Sequence, residues 1–208
     1  MSEPTLQDRF HLIGIGGAGM SVVAELLASH GAIVEGSDRE DSAVLEHLRS
    51  VGVRAFVGHD ASHVDPTSVV VVSTAIRENN PELAIARERG QLVIHRSQAL
   101  ALAATGMRFI GVAGAHGKTT TSGMLAIGLS ACGLDPSVAV GGVLPQLGTG
   151  AHLGGGDIFV AEADESDGSF LNYSPAIEIV TNVEPDHLDR YHSREEFEQI
   201  FVEFARRM

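Results

Sequence analysis

The sequence contains very little cysteine and almost no lysine. Its single cysteine, Cys132, excludes an internal disulfide and a cysteine-rich metal centre. The position of Cys132 in the apolar run LSACGL predicts a small buried side chain. Of the 14 basic residues, Lys118 is the one lysine. A lone lysine among arginines indicates a position that needs a compact ammonium group.

Long apolar runs and excess positive charge are also missing. No apolar stretch approaches the roughly 20 residues that span a bilayer, and the first residues lack the pattern of a signal peptide. The formal net charge is −13, from 27 acidic and 14 basic residues, whereas nucleic acids and anionic membranes attract basic surfaces. We therefore expect a cytoplasmic protein that binds no nucleic acid and does not insert into membranes.

Short apolar runs rich in β-branched residues alternate with helix-length amphipathic segments. This alternation is typical of α/β folds with parallel sheets. The last predicted helix begins with a Ser193–Glu196 capping box and carries an apolar face that needs a packing partner. Strands are predicted at 10–15, 32–37, 53–57, 69–73, 91–94, 108–114, 157–163 and 177–183, and helices at 19–30, 42–51, 81–89, 97–105, 118–132 and 194–207.

The first glycine loop, Gly14 to Gly19, matches G-x-G-x-x-G between a predicted strand and a predicted helix. Its glycines would let backbone N–H groups approach a pyrophosphate at the positive end of the helix. The next strand ends near Asp38, about 20 residues further on, where such folds bind a ribose hydroxyl. A dinucleotide or a UDP-sugar would satisfy the pattern, and so would a tight turn that packs helix against strand.

The second glycine loop, VAGAHGKTTT, departs from the usual P-loop spacing because Val112 stands where glycine is required. Lys118 would neutralise a phosphate held at close range. The hydroxyl of Thr119 would bind Mg2+, and the dipole of the following helix would add to both contacts. The alternative is that these residues only begin a helix. Two glycine loops indicate two α/β units, joined near 105–108.

Acidic residues follow two further predicted strands. Glu162 opens the run EADESD at the end of one strand, and His187 lies between two aspartates after the other. The carboxyl ends of parallel strands form the edge of the sheet where ligands bind. Glu162 would therefore hold Mg2+, and His187 would contact a metal ion or a phosphate. Solvated acidic surface is the alternative interpretation.

Three motifs in this order, GAHGKTTT, AEADESDGSFL and TNVEPDHLDRY, resemble the Mur ligase family. GIGGAGMS, GSD at 36–38, STAI with a following NPE, and HR at 95–96 are similar to the UDP-sugar-binding segment of that family. The family's loop is G-T-x-G-K-[ST], so Val112 need not be glycine. Ala115 replaces the usual threonine, which removes a hydroxyl that could contact phosphate.

The resemblance implies an ATP-dependent ligase of peptidoglycan synthesis. Such an enzyme adds L-alanine to the lactyl carboxylate of UDP-N-acetylmuramate through an acyl phosphate, with ATP and Mg2+ as cofactors. The implied fold is a Rossmann-like parallel-sheet domain at 1–106 that binds the UDP-sugar, followed at 107–208 by the first part of a P-loop-type α/β ATP-binding domain. Family members are much longer, so the rest of that domain and a C-terminal domain would be absent.

The resemblance also implies roles for individual residues. Lys118, Glu162 and His187 would be catalytic, and Thr119 would join Glu162 and His187 in binding Mg2+. An NAD-dependent oxidoreductase and a non-catalytic nucleotide-binding module remain the alternatives. The ATP loop would comprise Gly114, Ala115, His116, Gly117, Lys118, Thr119 and Thr120, and the UDP-sugar would contact Gly16, Gly17, Ala18, Gly19, Met20, Ser37, Asp38 and Thr74.

Overall fold

The structure is a computed structural model that describes residues 3–165, 168–184, 191 and 193–208. The chain divides into two compact units, Met1–Ala103 and Ala104–Met208. Each unit contains a five-stranded sheet within the described residues. Across this part of the chain, no helix is long and apolar enough to cross a membrane.

The first unit is a doubly wound parallel sheet. Its strands are β1 (Arg9–Ile13), β2 (Ile33–Asp38), β3 (Arg54–Val57), β4 (Val69–Val72) and β5 (Val93–His95). They are parallel and lie in the order β3-β2-β1-β4-β5. The strand order reverses between β1 and β4, where such sheets bind ligands. The helices are α1 (Ala18–Ser29), α2 (Ala43–Ser50), α3 (Pro81–Glu88) and α4 (Arg96–Ala103).

The second unit is a mixed sheet with one antiparallel edge strand. Its strands are β6 (Arg108–Ala113), β7 (Ser137–Leu144), β8 (Thr149–His152), β9 (Ile158–Glu162) and β10 (Ile177–Val180), in the order β10-β6-β9-β7-β8. Only β8 runs antiparallel to its neighbour among the described pairings. The helices are α5 (Lys118–Ala131) and α6 (Arg194–Ala205). The two sheets confirm the predicted fold class.

Helix α6 covers an aromatic core in the second unit. Ser193 caps it by accepting a hydrogen bond from the Glu196 backbone N–H at 3.1 Å, as the capping box predicts. Phe204 of α6 packs on Phe170 with ring centroids 4.7 Å apart, and both rings are fully buried. Phe170 lies in a short 3-10 turn, Ser169–Asn172. The apolar face of α6 therefore has its packing partner within this unit.

One prediction from the sequence is wrong, and two strands were not predicted. Cys132 is exposed, because it is the C-cap of α5 and lies beyond the last buried turn of that helix. Strands β7 and β8 were missed, because repeated glycines break the alternation that marks a strand. Those glycines are needed for close contact: a Cβ at Gly142 would lie 2.9 Å from Thr119 Cγ2. Strand β7 thus runs hard against the start of α5.

Candidate nucleotide-binding sites

The second glycine loop joins β6 to α5 at the carboxyl edge of the second sheet. Strand β6 lies between β9 and β10, whose ends flank the loop on both sides. The Ala163 backbone N–H donates to Val112 O at 2.9 Å, and that of Thr181 donates to Ala113 O at 3.0 Å. The predicted loop therefore lies where open α/β sheets bind ligands.

Glycine is required at both ends of this loop. Gly114 has a φ of +130° and Gly117 a φ of +86°, values that side chains with a Cβ rarely adopt. A Cβ at Gly114 would clash with Thr181 Oγ1 and lie 2.9 Å from Asn182 O. Gly117 is also the N-cap of α5. The glycines let the backbone turn sharply and start the helix directly behind the loop.

Two polar residues after β10 hold the loop in place. The Asn182 side chain donates to His116 O at 2.8 Å and accepts from the His116 backbone N–H at 3.1 Å. Thr181 Oγ1 donates to the same carbonyl at 2.6 Å. The motif TNVEPDH drew attention to this strand end, but the sequence did not reveal that its first two residues hold the loop backbone.

Lys118 is anchored by a carboxylate that the sequence analysis did not single out. Its Nζ donates to Gly114 O at 2.7 Å and to both carboxylate oxygens of Glu165 at 2.9 Å. The Glu165 side chain is fully buried, and that of Lys118 is 16% exposed. A two-oxygen contact to a buried carboxylate fixes the position of the ammonium group. The acidic run EADESD contains this carboxylate, but the run itself does not show which of its carboxylates faces the lysine.

Thr119 and Glu162 lie on either side of one glycine pair in β7. A Cβ at Gly142 would touch Thr119, and a Cβ at Gly141 would lie 3.4 Å from Glu162 Oε2. Glu162 Oε1 accepts a hydrogen bond from the Gly141 backbone N–H at 2.7 Å. Thr119 and Glu162 thus lie against adjacent residues of β7, and the side chains of both carry oxygen donors of the type that Mg2+ prefers.

The third predicted metal ligand, His187, lies outside the described residues. Within the described ranges, no group of three or more His, Cys, Asp or Glu side chains is placed to hold a metal ion. The roles of His187, Thr119 and Glu162 toward Mg2+ remain predictions. Two further predicted ATP-binding residues, Ala115 and His116, lie in the loop. Thr120 lies in the first turn of α5.

The first glycine loop follows β1 at the point where the strand order reverses. Gly14 has a φ of +79°, and its N–H donates to Ser37 O at 2.8 Å. Gly17 is the N-cap of α1, and Ala18 is the first residue of that helix. The Gly16 N–H donates to Asp38 Oδ2 at 2.8 Å. The predicted ribose-binding carboxylate therefore also fixes the loop backbone.

Arg96, from the HR motif at 95–96, also lies at the first glycine loop. Its guanidinium packs directly against Gly19, where a Cβ would clash with Nη1 and lie 3.2 Å from Cζ. Gly19 is in the first turn of α1. A guanidinium beside the positive end of a helix makes a strong site for an anion such as a pyrophosphate. The motif HR at 95–96 was the signal.

Other predicted UDP-sugar residues differ widely in exposure. Met20 is 4% exposed and belongs to the core, Ser37 is fully buried, and Thr74 is exposed in the turn after β4. Their contacts with a sugar nucleotide remain predictions. A cavity of about 450 Å³ lies at the same carboxyl edge of the sheet, and its lining includes Arg39, His59, Ala75, Ile76, Arg77, Asn79, Asn80 and Pro81.

Glycine loops at helix N-termini, one in each α/β unit and each at the carboxyl edge of its sheet, are typical of nucleotide-binding proteins. Comparison with known families gives the same class more closely. The family model described as "Mur ligase family, catalytic domain" matches residues 9–108, and the model described as "Mur ligase middle domain" matches residues 112–208. The chain belongs to the Mur ligase family.

Individual relatives agree with this assignment. The UDP-N-acetylmuramate–L-alanine ligase of Renibacterium salmoninarum is 54% identical over 196 residues, which are 94% of this chain and 42% of the relative. The enzyme of that name from Streptomyces avermitilis is 54% identical over 206 residues, 99% of this chain and 44% of the relative. The chain thus spans less than half the length of these curated relatives.

A solved structure, the UDP-N-acetylmuramate-alanine ligase of Thermotoga maritima, superposes with a TM-score of 0.81 at 32% identity. The match covers 96% of this chain and 47% of that protein. The structure of a UDP-N-acetylmuramate:L-alanyl-gamma-D-glutamyl-meso-diaminopimelate ligase from Neisseria meningitides gives a TM-score of 0.82 at 28% identity, covering 97% of this chain and 68% of that one. Fold and family are therefore the same across both units.

Proposed function

We propose that this chain forms the UDP-sugar-binding and ATP-binding parts of a cytoplasmic ligase of peptidoglycan synthesis. The enzyme would join L-alanine to the lactyl carboxylate of UDP-N-acetylmuramate through an acyl phosphate. Family membership and the names of relatives at 54% identity support the proposal. The geometric observation that carries it is the Lys118 ammonium, anchored beside a glycine loop at the start of α5.

The residues of the second glycine loop fit the binding of a nucleoside triphosphate. ATP would supply the phosphoryl group that activates the lactyl carboxylate toward the amine of L-alanine. Lys118 and the positive end of α5 would neutralise charge on the phosphates. Phosphoryl transfer depends mainly on positioning and electrostatics, which agrees with a lysine already fixed by Glu165. Thr119 and Glu162, with His187, would hold Mg2+ beside these phosphates.

In the first unit, the loop at Gly14–Gly19 would hold the pyrophosphate of the UDP-sugar. Arg96 beside Gly19 supplies a cation there, and Asp38 keeps the loop backbone in place. The loop alone would equally suit NAD, but an NAD-dependent oxidoreductase leaves Lys118 and its loop without a purpose. Membership of the Mur ligase family is a second reason to favour the UDP-sugar.

A non-catalytic nucleotide-binding module is the second candidate, because the chain spans only 42% and 44% of two ligases that it matches. In that case the two sites would bind ligands without turnover. Both candidates require the same ligands, so they are separated by an activity measurement and not by binding.

A thermal melt of the 208-residue chain with separate ligands tests the two binding sites. A ligand at 100 times its dissociation constant stabilises the folded state by about 2.7 kcal/mol, which raises the midpoint by several degrees. We expect such a rise with UDP-N-acetylmuramate and with Mg-ATP. A rise with NADH and none with UDP-N-acetylmuramate would refute the assignment of the first unit.

A further inference from the structure

Glu82 forms the centre of a buried polar cluster in the first unit. It lies in the first turn of α3 and its side chain is fully buried. Three histidines surround its carboxylate: His11 Nε2 at 3.4 Å, His59 Nδ1 at 3.4 Å and His63 Nδ1 at 3.2 Å. The hydroxyl of Ser37, at the end of β2, also donates to it. None of the roles assigned above explains this arrangement.

Burial alone would raise the pKa of Glu82, but hydrogen bonds from His11 and Ser37 outweigh it and hold the pKa below its ordinary value. The carboxylate is therefore ionised near neutral pH and can only accept hydrogen bonds. The backbone N–H of Asp60 donates to Oε1 at 3.3 Å. Ser37, His63 and the Asp60 backbone, which lie within hydrogen-bond distance of Glu82, must accordingly each present a hydrogen to it.

This requirement fixes the positions of the hydrogens in the two hydrogen bonds that link Glu82 to Ser37 and Ser37 to His59. The hydroxyl of Ser37 has one hydrogen, and it is donated to Glu82. Ser37 Oγ also lies 2.8 Å from His59 Nδ1. Because the hydroxyl hydrogen is already used, that contact requires a hydrogen on Nδ1. Neutral His59 must then be the Nδ1–H tautomer, with a lone pair on Nε2.

His59 also lines the cavity of about 450 Å³ at the carboxyl edge of the sheet, and its side chain is 23% exposed. Arg39 and Arg77 line the same cavity, and guanidinium groups can only donate hydrogen bonds. A lone pair on Nε2 places an acceptor in the same lining as these two guanidinium donors. A nucleoside presents both kinds of group, since the uracil imide N–H and the ribose hydroxyls donate and the uracil carbonyls accept.

We propose that Glu82 and Ser37 are positioning residues that fix the tautomer of His59, so that its Nε2 accepts a hydrogen bond from a donor group of the nucleoside bound in this cavity. The inference rests on the proposed UDP-sugar-binding function. It adds a specificity residue, His59, and the means by which its hydrogen-bonding character is set.

Nitrogen-15 NMR of the histidine rings tests the tautomer without any ligand. At pH 8 the ring nitrogens of neutral histidine report which nitrogen carries the hydrogen, and loss of signals in His59→Gln assigns the ring. We expect His59 with its hydrogen on Nδ1. A hydrogen on Nε2 in the wild-type chain would overturn the proposal; the tautomer is read in the wild-type chain, and the variant serves only to assign the ring.

The variant Glu82→Gln should reverse the direction of donation in both of these hydrogen bonds. The backbone N–H of Asp60 keeps the amide oxygen at the Oε1 position, which directs the amide NH2 at Ser37. Ser37 then accepts from the amide and donates to His59 Nδ1, so the ring hydrogen moves to Nε2. The matched control is Glu88→Gln, an exposed carboxylate on the same helix, which should leave the tautomer unchanged.

Calorimetric titration of UDP-N-acetylmuramate into the 208-residue chain tests the ligand contact. In Glu82→Gln, the hydrogen on His59 Nε2 would face a donor group of the nucleoside, where the wild-type ring offers an acceptor. We therefore expect this variant to bind UDP-N-acetylmuramate about tenfold more weakly than the wild type. Glu88→Gln should bind with the wild-type affinity. Equal affinity of Glu82→Gln and wild type, despite the tautomer change, would overturn the ligand contact. If the wild-type chain did not bind UDP-N-acetylmuramate, the proposed function would fail together with this contact, whereas the tautomer result would stand on its own.

Discussion

Replacing Lys118 with methionine is expected to lower the free energy of unfolding of the second unit by about 3–5 kcal/mol. The magnitude follows from the burial of its partner. Glu165 is fully buried and receives both of its described side-chain hydrogen bonds from the Lys118 ammonium at 2.9 Å. Methionine fills similar space without charge, so the cost measures an ionised carboxylate left buried without a cation.

A double-mutant cycle separates this charge effect from packing. Glu165→Gln in the Lys118→Met background removes the unpaired charge, so the double variant should recover most of the lost stability. Urea unfolding of all four proteins gives the coupling energy. The control is the exposed pair Arg108–Asp157 in the same unit, with side chains 62% and 67% exposed, for which Arg108→Met should cost less than about 1 kcal/mol.

A loss of stability in Lys118→Met no larger than that in Arg108→Met would contradict this prediction. That result would mean that Glu165 does not hold the Lys118 ammonium in solution. The lysine would then not be preorganised for phosphate, and its rigid position could not be used to support the proposed ATP site.

Three further predictions concern single sites. Gly114→Ala should lower the free energy of unfolding in urea by about 1–3 kcal/mol more than Gly133→Ala. Both glycines have a positive φ, but only at Gly114 would the added Cβ meet backbone atoms. Equal losses in the two variants would contradict this prediction. Gly19→Ala should push Arg96 aside and weaken UDP-N-acetylmuramate binding in a titration, with stability kept; unchanged affinity would remove Arg96 from the site. The pKa of Glu82 is depressed in the folded state, so its stabilisation is present above pH 4.5 and lost as pH falls below it; Glu82→Gln should flatten acid unfolding there, and an unchanged curve would count against the depressed pKa.

The fold and the two glycine loops could be predicted because they depend on local patterns. Apolar runs alternate with helices along the chain, and the glycines at Gly14–Gly19 and Gly114–Gly117 mark sharp turns between strand and helix. The conformation of Gly114 and Gly117, with positive φ at both, is what the loop motif requires. These features involve neighbours in sequence, and a single chain without relatives is enough to find them.

The partners of the loop residues could not be predicted, because they come from distant parts of the chain. Lys118 and Glu165 are 47 residues apart, and the contact between His116 and Asn182 spans 66 residues. Which carboxylate of EADESD faces the lysine depends on how β9 ends and the chain turns. Strands β7 and β8 were missed because their glycines serve contact with α5 and with one another, which the sequence cannot reveal.

The central claim is that this chain provides the substrate and ATP sites of an alanine-adding ligase. The most direct test replaces the matching segment of the Renibacterium salmoninarum ligase with this chain and measures phosphate release. We predict release that requires UDP-N-acetylmuramate, L-alanine and Mg-ATP together, and its loss in the double variant Lys118→Met, Glu165→Gln, which keeps the fold but lacks the ammonium group. Undiminished release by that double variant, or release that does not depend on UDP-N-acetylmuramate, would contradict the account.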